Sequence, residues 1–307
     1  MNKTKDYDCA IIVDGDDDDF DNVSQNNLVL PKIKTQINTT DTTDATYATD
    51  TRDAKDTKDT TDTKLPSIKS RRKINTPALS KYYSEEPNIF EIGVDEVGRG
   101  PLFGRVYTAA VILPKDDSFD HLKMKDSKKF HSKKKIEEVA EYIKAHALAW
   151  YISFEDEKKI DEINILQATQ QSMHTSILEV KKQFNNVMKE RNKTESTDYS
   201  YFLLIDGNYF NPITFLNKKT NKLDHLKHIC VEGGDDKYTA IAAASILAKV
   251  ERDRYIDELC LQNPTLAEHY GIDTNKGYGA KRHMDGIKEH GITIWHRRSF
   301  GICKQFQ

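Results

Sequence analysis

No apolar run in this 307-residue chain approaches the roughly 18 residues that a membrane-spanning helix needs, so a helical membrane anchor is not expected. The opening stretch, MNKTKDYDCAIIVDGDDDDFD, offers only a three-residue apolar patch before a run of acids, and does not read as a secretory signal. Cysteine is scarce. Cys9, Cys230, Cys260 and Cys303 lie far apart with no Cys-x-x-Cys pair, which excludes a zinc ribbon and argues against a disulfide framework. A reducing, cytoplasmic setting is the expectation. An excess of one charge is missing too. Residues 1–85 hold 13 basic and 16 acidic positions, and the remainder is balanced. A neutral body does not hold nucleic acid by bulk charge alone, although a local basic groove stays open to it. Neither a Gly-x-Ser-x-Gly elbow nor a Walker A loop is present, so a nucleophilic serine and a P-loop have no support.

Large aliphatics are missing from part of the chain. Residues 41–64 contain nine Thr and seven Asp and no aliphatic larger than Ala. Such a segment cannot bury enough apolar area to offset its ordering entropy. Residues 1–85 therefore read as a disordered acidic, Thr-rich tail, and residues 86–307 as one catalytic-sized domain. From Ile89 the pattern changes. Residues 89–94 and 106–113 are β-rich runs that read as paired strands. Helices are expected from Ser132 to about Ala147, from Asn164 to about Lys189, over 240–260 and over 281–290. Strands are expected over 148–154, 201–205 and 228–232. Interleaved strands and helices with a helical end predict an α/β domain built on a mixed sheet.

The chemistry lies in acids placed at the ends of apolar elements. Asp95-Glu96 follows one apolar strand, Asp206 ends another, and Asp235-Asp236 precedes the Ala-rich helix. Carboxylates without a Cys or His partner nearby in sequence make a hard oxygen site, suited to Mg²⁺ or Mn²⁺. Their mutual repulsion is relieved by a pair of divalent ions, which points to a metal-dependent phosphodiesterase. Two basic clusters flank the acids and suit a phosphate-rich polymer. One gathers Lys125, Lys128, Lys129, Lys133, Lys134 and Lys135; the other gathers Tyr270, Lys276, Tyr278, Lys281, Arg282, His283, His296, Arg297 and Arg298. Asp253 lies about five turns beyond Asp235 and reads as a salt bridge or cap. His283 and His296 read equally as substrate contacts or as hydrogen-bonded structural histidines.

Six ordered blocks carry a resemblance: VDEVGRGPL (94–102), KDSKKF (125–130), LLIDGN (203–208), GGDDKYTAIAAASILAKVERD (233–253), NKGYGAKRH (275–283) and HRRSF (296–300). Together they resemble the type 2 ribonuclease H family, specifically ribonuclease HII, across roughly residues 90–300. The resemblance implies an RNase H-like fold, a mixed central sheet flanked by helices with a C-terminal helical portion. It also implies an endonuclease, working as a monomer with two divalent ions, Mn²⁺ or Mg²⁺. Its substrates would be RNA–DNA hybrids and duplex DNA containing ribonucleotides, and its products would end in 3′-hydroxyl and 5′-phosphate groups. Carried over, Asp95, Glu96, Asp206 and Asp235 would bind the metals, with Asp236 as the alternative to Asp235. Gly98, Arg99 and Gly100 would present backbone groups to the 2′-hydroxyl, Tyr278 would pack on the sugar, and Lys128 would contact phosphate. The chain departs from the family pattern at Phe103, Arg105, Gly233 and Asp236. Two alternatives are a ribonuclease HIII-like enzyme, which typically has Lys where Arg99 stands, and an inactive hybrid-binding subunit.

Overall fold

A strand that is buried on both faces must be covered by a helix on each side, and the sequence supplies two helices suited to it. In the computed structural model, residues 12–13, 78–191, 199–217 and 220–306 are described. The described residues all fall in one compact unit. The Thr/Asp-rich segment lies outside the described residues, as does the basic run Ser70-Arg71-Arg72-Lys73, which in sequence suggests a localisation or phosphate-contact patch.

In chain order the elements are β1 (Ile12–Val13), β2 (Ile89–Val97), β3 (Val106–Ile112), α1 (Lys133–His146), β4 (Ala149–Glu155), α2 (Glu157–Ile163) and α3 (Ile165–Arg191). They continue with β5 (Ser200–Asp206), β6 (Thr214–Asn217), β7 (Lys222–His225), β8 (His228–Val231), α4 (Thr239–Gln262), α5 (Thr265–Tyr270), α6 (Ile272–Asn275) and α7 (Lys281–His290). The central sheet runs β4-β3-β2-β5-β8. β2 pairs antiparallel with β3 and parallel with β5, so the sheet is mixed, as expected. β1 and the β6–β7 hairpin form a second, three-stranded sheet that the sequence reading did not anticipate.

Every residue of β3, VYTAAVI, is buried. One face of the sheet packs Ala109 and Val111 against Ala240, Ala243, Ala244 and Leu247 of α4. The other packs Ile92, Val94, Leu203 and Ile205 against Met173, Ile177, Val180 and Phe184 of α3. Small residues let α4 sit close: a Cβ on Gly93 would stand 2.2 Å from the Ala240 backbone carbon. Helices α5 to α7 close a third cluster around Phe103, Ile256 and Ile287. At about 25 cal/mol per Å² of apolar area, these three clusters are the main source of stability.

Residues just ahead of the boundary expected at 85 make contacts with the strands and helices that follow. Ser80 N–H donates to Lys237 O at 2.8 Å and Thr239 N–H donates to Ser80 O at 3.0 Å. Tyr83 stacks on Phe202 with centroids 5.0 Å apart. The Tyr83 and Ser84 amides both donate to Glu91 Oε1, at 2.8 and 2.6 Å. Ser80, Tyr83 and Ser84 are thus held against β2, β5 and the start of α4. The aromatic and hydroxyl side chains of LSKYYS give them partners that the 41–64 composition lacks. Ser132, where the first helix is expected to begin, precedes α1, and its side chain makes no capping hydrogen bond.

Candidate active site

Parallel pairing brings two of the acids together. The β2–β5 ladder ends at Val94↔Ile205, and one residue further along come Asp95 and Asp206. After β8 the chain turns through Gly233, at φ 62°, into a short 3-10 turn, Gly234–Asp236, that leads into α4. Gly234 N–H donates to Asp206 Oδ1 at 2.6 Å, which binds this turn to the end of β5. Asp95 is 4% exposed. Its Oδ1 accepts from Glu96 N–H at 2.7 Å, and Ser245 on α4 also hydrogen-bonds to its carboxylate. Ser245 Oγ lies 3.0 Å from Ser127 Oγ, so the 126–128 loop is tied to the same acid. The sequence reading gave neither serine a role.

The electrostatics are those of a site built for cations. Burial, then Glu96 and Asp206, raise the Asp95 pKa well above the ordinary carboxylate value. Burial also raises Glu96, with Asp206 adding to the shift while Arg99, 3.2 Å from its Oε1, opposes it. Asp235 is raised by burial, then by Asp126 and Asp206, against the pull of Lys128. Lys128 reaches in with Nζ 3.7 Å from Asp235 Oδ2 while its side chain stays mostly exposed. Burial works against its charge, but Asp235, Asp126, Asp95 and Asp206 outweigh that, and its pKa is raised. Asp236 instead points outward and pairs with Lys129. Asp253 pairs with Lys249 at 2.6 Å on the same helix.

Among the described residues, no three of His, Cys, Asp and Glu stand close enough to enclose an ion as they are. The donors still fit hard divalent cations. They are all carboxylates, the Asp206 charge raises the pKa of both Asp95 and Asp235, and an ammonium is already drawn to them. Glu96 and Asp206 also border a hollow of about 210 Å³, shared with Arg99, Gln170 and Tyr209.

Beside the acids lies the loop Gly98–Gly104. Arg297, wholly buried, donates from its guanidinium to Gly98 O at 2.6 Å, Arg99 O at 3.0 Å, Pro101 O at 2.9 Å and Gly104 O at 2.8 Å. Burial and the neighbouring Arg252 push its pKa down to about 9, which leaves it charged at neutral pH. Arg252 donates to Phe103 O, Arg105 O and Lys276 O, and its guanidinium lies 5.8 Å from the Tyr278 ring centroid. A Cβ on Gly98, at φ 92°, would collide with Arg252 Nε at 2.4 Å. A Cβ on Gly100 would meet only Tyr278 Cε1, at 3.7 Å. Tyr278 itself is 47% exposed. The basic cluster expected at this end therefore divides. Tyr270, His283, His296 and Arg297 are buried and serve the protein interior, while Lys281, Arg282 and Arg298 are exposed or half-buried. Composition does not reveal which side of a loop a charge faces, and no sequence signal marked Arg297 or Arg252 as internal.

The ribonuclease HII family model matches residues 92–303. A ribonuclease HII of Parabacteroides distasonis is 40% identical over 220 residues, covering 72% of this chain and 94% of that protein. One from Pelagibacter ubique is 41% identical over 211 residues, covering 68% and 94%. The crystal structure of the ribonuclease H2 from Pyrococcus horikoshii OT3 aligns at 21% identity and a TM-score of 0.47, covering 71% of this chain and 96% of that one.

Proposed function

Since the chain belongs to the ribonuclease HII family and is by that membership an endoribonuclease, we propose that it hydrolyses the RNA strand of RNA–DNA hybrids and ribonucleotides embedded in duplex DNA. The reading includes a single-chain enzyme in the cytoplasm. No helix among the described residues is long and apolar enough to cross a membrane.

Asp95, Glu96, Asp206 and Asp235 are the residues that would hold two divalent ions, Mn²⁺ or Mg²⁺. Such ions, when bound, supply Lewis-acid activation of water and charge neutralisation at a leaving oxygen. The chain's own residues do the rest. Ser245 and the Glu96 amide orient the Asp95 carboxylate. The Gly234 amide orients Asp206. Lys128 offers a mobile ammonium to a phosphate beside Asp235. The loop Gly98–Gly100 turns carbonyls inward to Arg297, so its outer edge is offered to the minor-groove face, where the 2′-hydroxyl separates RNA from DNA. Tyr278, exposed beside the open position at Gly100, packs on the sugar. Cleavage with 3′-hydroxyl and 5′-phosphate products follows.

The observation that carries this reading is the meeting of Asp95, Asp206 and Asp235 at neighbouring strand and turn ends. It is tested by cleavage of a hybrid with Mn²⁺ and with EDTA in the native enzyme, Asp235→Asn and Asp236→Asn. Activity lost in EDTA and in Asp235→Asn, but retained in Asp236→Asn, is expected. The reverse ranking of the two variants would displace Asp235 from the ligand set.

A further inference from the structure

Behind Tyr278 lies a buried pair of histidines whose hydrogen bonds leave one choice of proton positions. Thr293 N–H, necessarily a donor, lies 2.9 Å from His296 Nδ1, so that nitrogen accepts and carries no proton. His283 Nδ1 lies 2.8 Å from Tyr278 O, necessarily an acceptor, so that nitrogen is protonated. The two Nε2 atoms face each other at 3.0 Å. Only His296 Nε2–H donating to a bare His283 Nε2 completes the chain without opposing two N–H groups. A charge on either ring would set proton against proton. Both rings are essentially unexposed. Burial lowers the His283 pKa, and burial with His283 pushes His296 down to about 3.

The donors thus run one way, from Thr293 through His296 and His283, and end on the Tyr278 carbonyl. Aligned hydrogen bonds polarise one another, so the last is strengthened by those before it. That carbonyl sits between Gly277, at φ 84°, and Gly279, where the backbone has little intrinsic preference. Phe103, edge-on to both rings with centroids 6.4 and 5.0 Å away, seals the pair from below and belongs to the Gly98–Gly104 loop.

We propose that His283 and His296 form a neutral, one-directional hydrogen-bond relay that positions Tyr278 for a single embedded ribonucleotide. They are positioning residues and touch no substrate. This rests on the reading of Tyr278 as a sugar contact given above.

The test is a double-mutant cycle between His283→Leu and Tyr278→Ala, read as kcat on a duplex with one ribonucleotide and on a long hybrid, with melting curves alongside. His283→Leu is expected to lower cleavage of the single ribonucleotide by about 10- to 100-fold, the scale on which misplaced groups cost rate. It should add no further loss in the Tyr278→Ala background, and His283→Asn, whose amide replaces the Nδ1–H donor, should restore most of it. Equal losses in both backgrounds would overturn the relay while leaving the Tyr278 contact standing. No loss in Tyr278→Ala alone would overturn the contact itself and the positioning role with it. A second measurement needs no variant to fold differently: ¹⁵N NMR of the native protein at neutral pH. A protonated Nδ1 on His283 and a protonated Nε2 on His296 are expected, and any other pattern refutes the relay.

Discussion

Alanine at Gly98 and at Gly100 separates the folding of the recognition loop from its use. At Gly98 the backbone stands at φ 92°, and a Cβ would lie 2.4 Å from Arg252 Nε, 2.8 Å from Arg252 Cδ and 2.9 Å from Arg105 O. The dihedral costs about 1–3 kcal/mol for a residue with a side chain. Displacing a buried guanidinium adds an overpacking cost of about 1–3 kcal/mol. The total of about 2–6 kcal/mol lowers the melting temperature of a domain this size by about 4–24 °C. Gly100 is different. It is not among the positive-φ glycines, and its added Cβ would touch only Tyr278 Cε1 at 3.7 Å, an ordinary contact. Its stability cost stays within about 0.5 kcal/mol, as for an unremarkable surface change. On the proposed reading its effect on function is large, because the methyl group would occupy the space against which the ribose would be read. Cleavage of a single embedded ribonucleotide should drop by about 10- to 100-fold. Melting curves and cleavage rates on both variants check this. Full activity in Gly100→Ala at an unchanged melting temperature would refute close backbone approach at that position. An unchanged melting temperature in Gly98→Ala would refute the collision with Arg252.

Three other outcomes are expected. Arg297→Lys replaces a planar fork by three donors on one nitrogen, which cannot reach all four carbonyls. A lost charged hydrogen bond costs about 1.5–3 kcal/mol, so the melting temperature falls by about 3–10 °C, with a larger loss of activity on single ribonucleotides than on hybrids. Asp95→Asn abolishes cleavage yet raises the melting temperature in EDTA. The folded-state pKa of Asp95 is raised, so its ionised form opposes folding above that pKa, and the gap between variant and native protein closes as pH falls through it. A chain beginning at Ala78 loses only the two-residue pairing of β1 with β6 and melts within about 3 °C of the full chain. One beginning at Ser84 loses the Ser80 backbone pair, the Lys81 carbonyl's hydrogen bond from Thr239 and the Tyr83 stack, and melts about 5–10 °C lower.

Much of the sheet was legible in the sequence because its strands are short apolar runs between Gly and Pro. The expected 148–154 and 201–205 correspond to Ala149–Glu155 and Ser200–Asp206. The Ala-rich helix expected over 240–260 runs Thr239–Gln262. The acids stood out because several of them end apolar elements at once, and the β2–β5 ladder and the Gly234 hydrogen bond bring Asp95, Asp206 and the Asp235 turn to neighbouring positions. The β6–β7 hairpin was not legible, since TFLN and KLDH alternate weakly and β7 is exposed throughout. Short α2, Glu157–Ile163, was hidden in a charged stretch that resembles a loop. Arg297 was grouped with substrate-facing cations, and His283 and His296 were left open between substrate and structural roles, because charge is visible in a sequence and burial is not. What satisfies Arg297 is backbone carbonyls about 200 positions away, to which no side-chain motif points.

The most direct test of the central claim is incubation of the native protein with a DNA duplex carrying one ribonucleotide, in Mn²⁺ and in EDTA, with both product ends mapped. A single incision at the ribonucleotide, dependent on the metal and leaving 3′-hydroxyl and 5′-phosphate ends, is expected. An intact duplex in Mn²⁺, or ends with 3′-phosphate or 2′,3′-cyclic phosphate, would contradict a carboxylate-held divalent site that directs water at the phosphodiester.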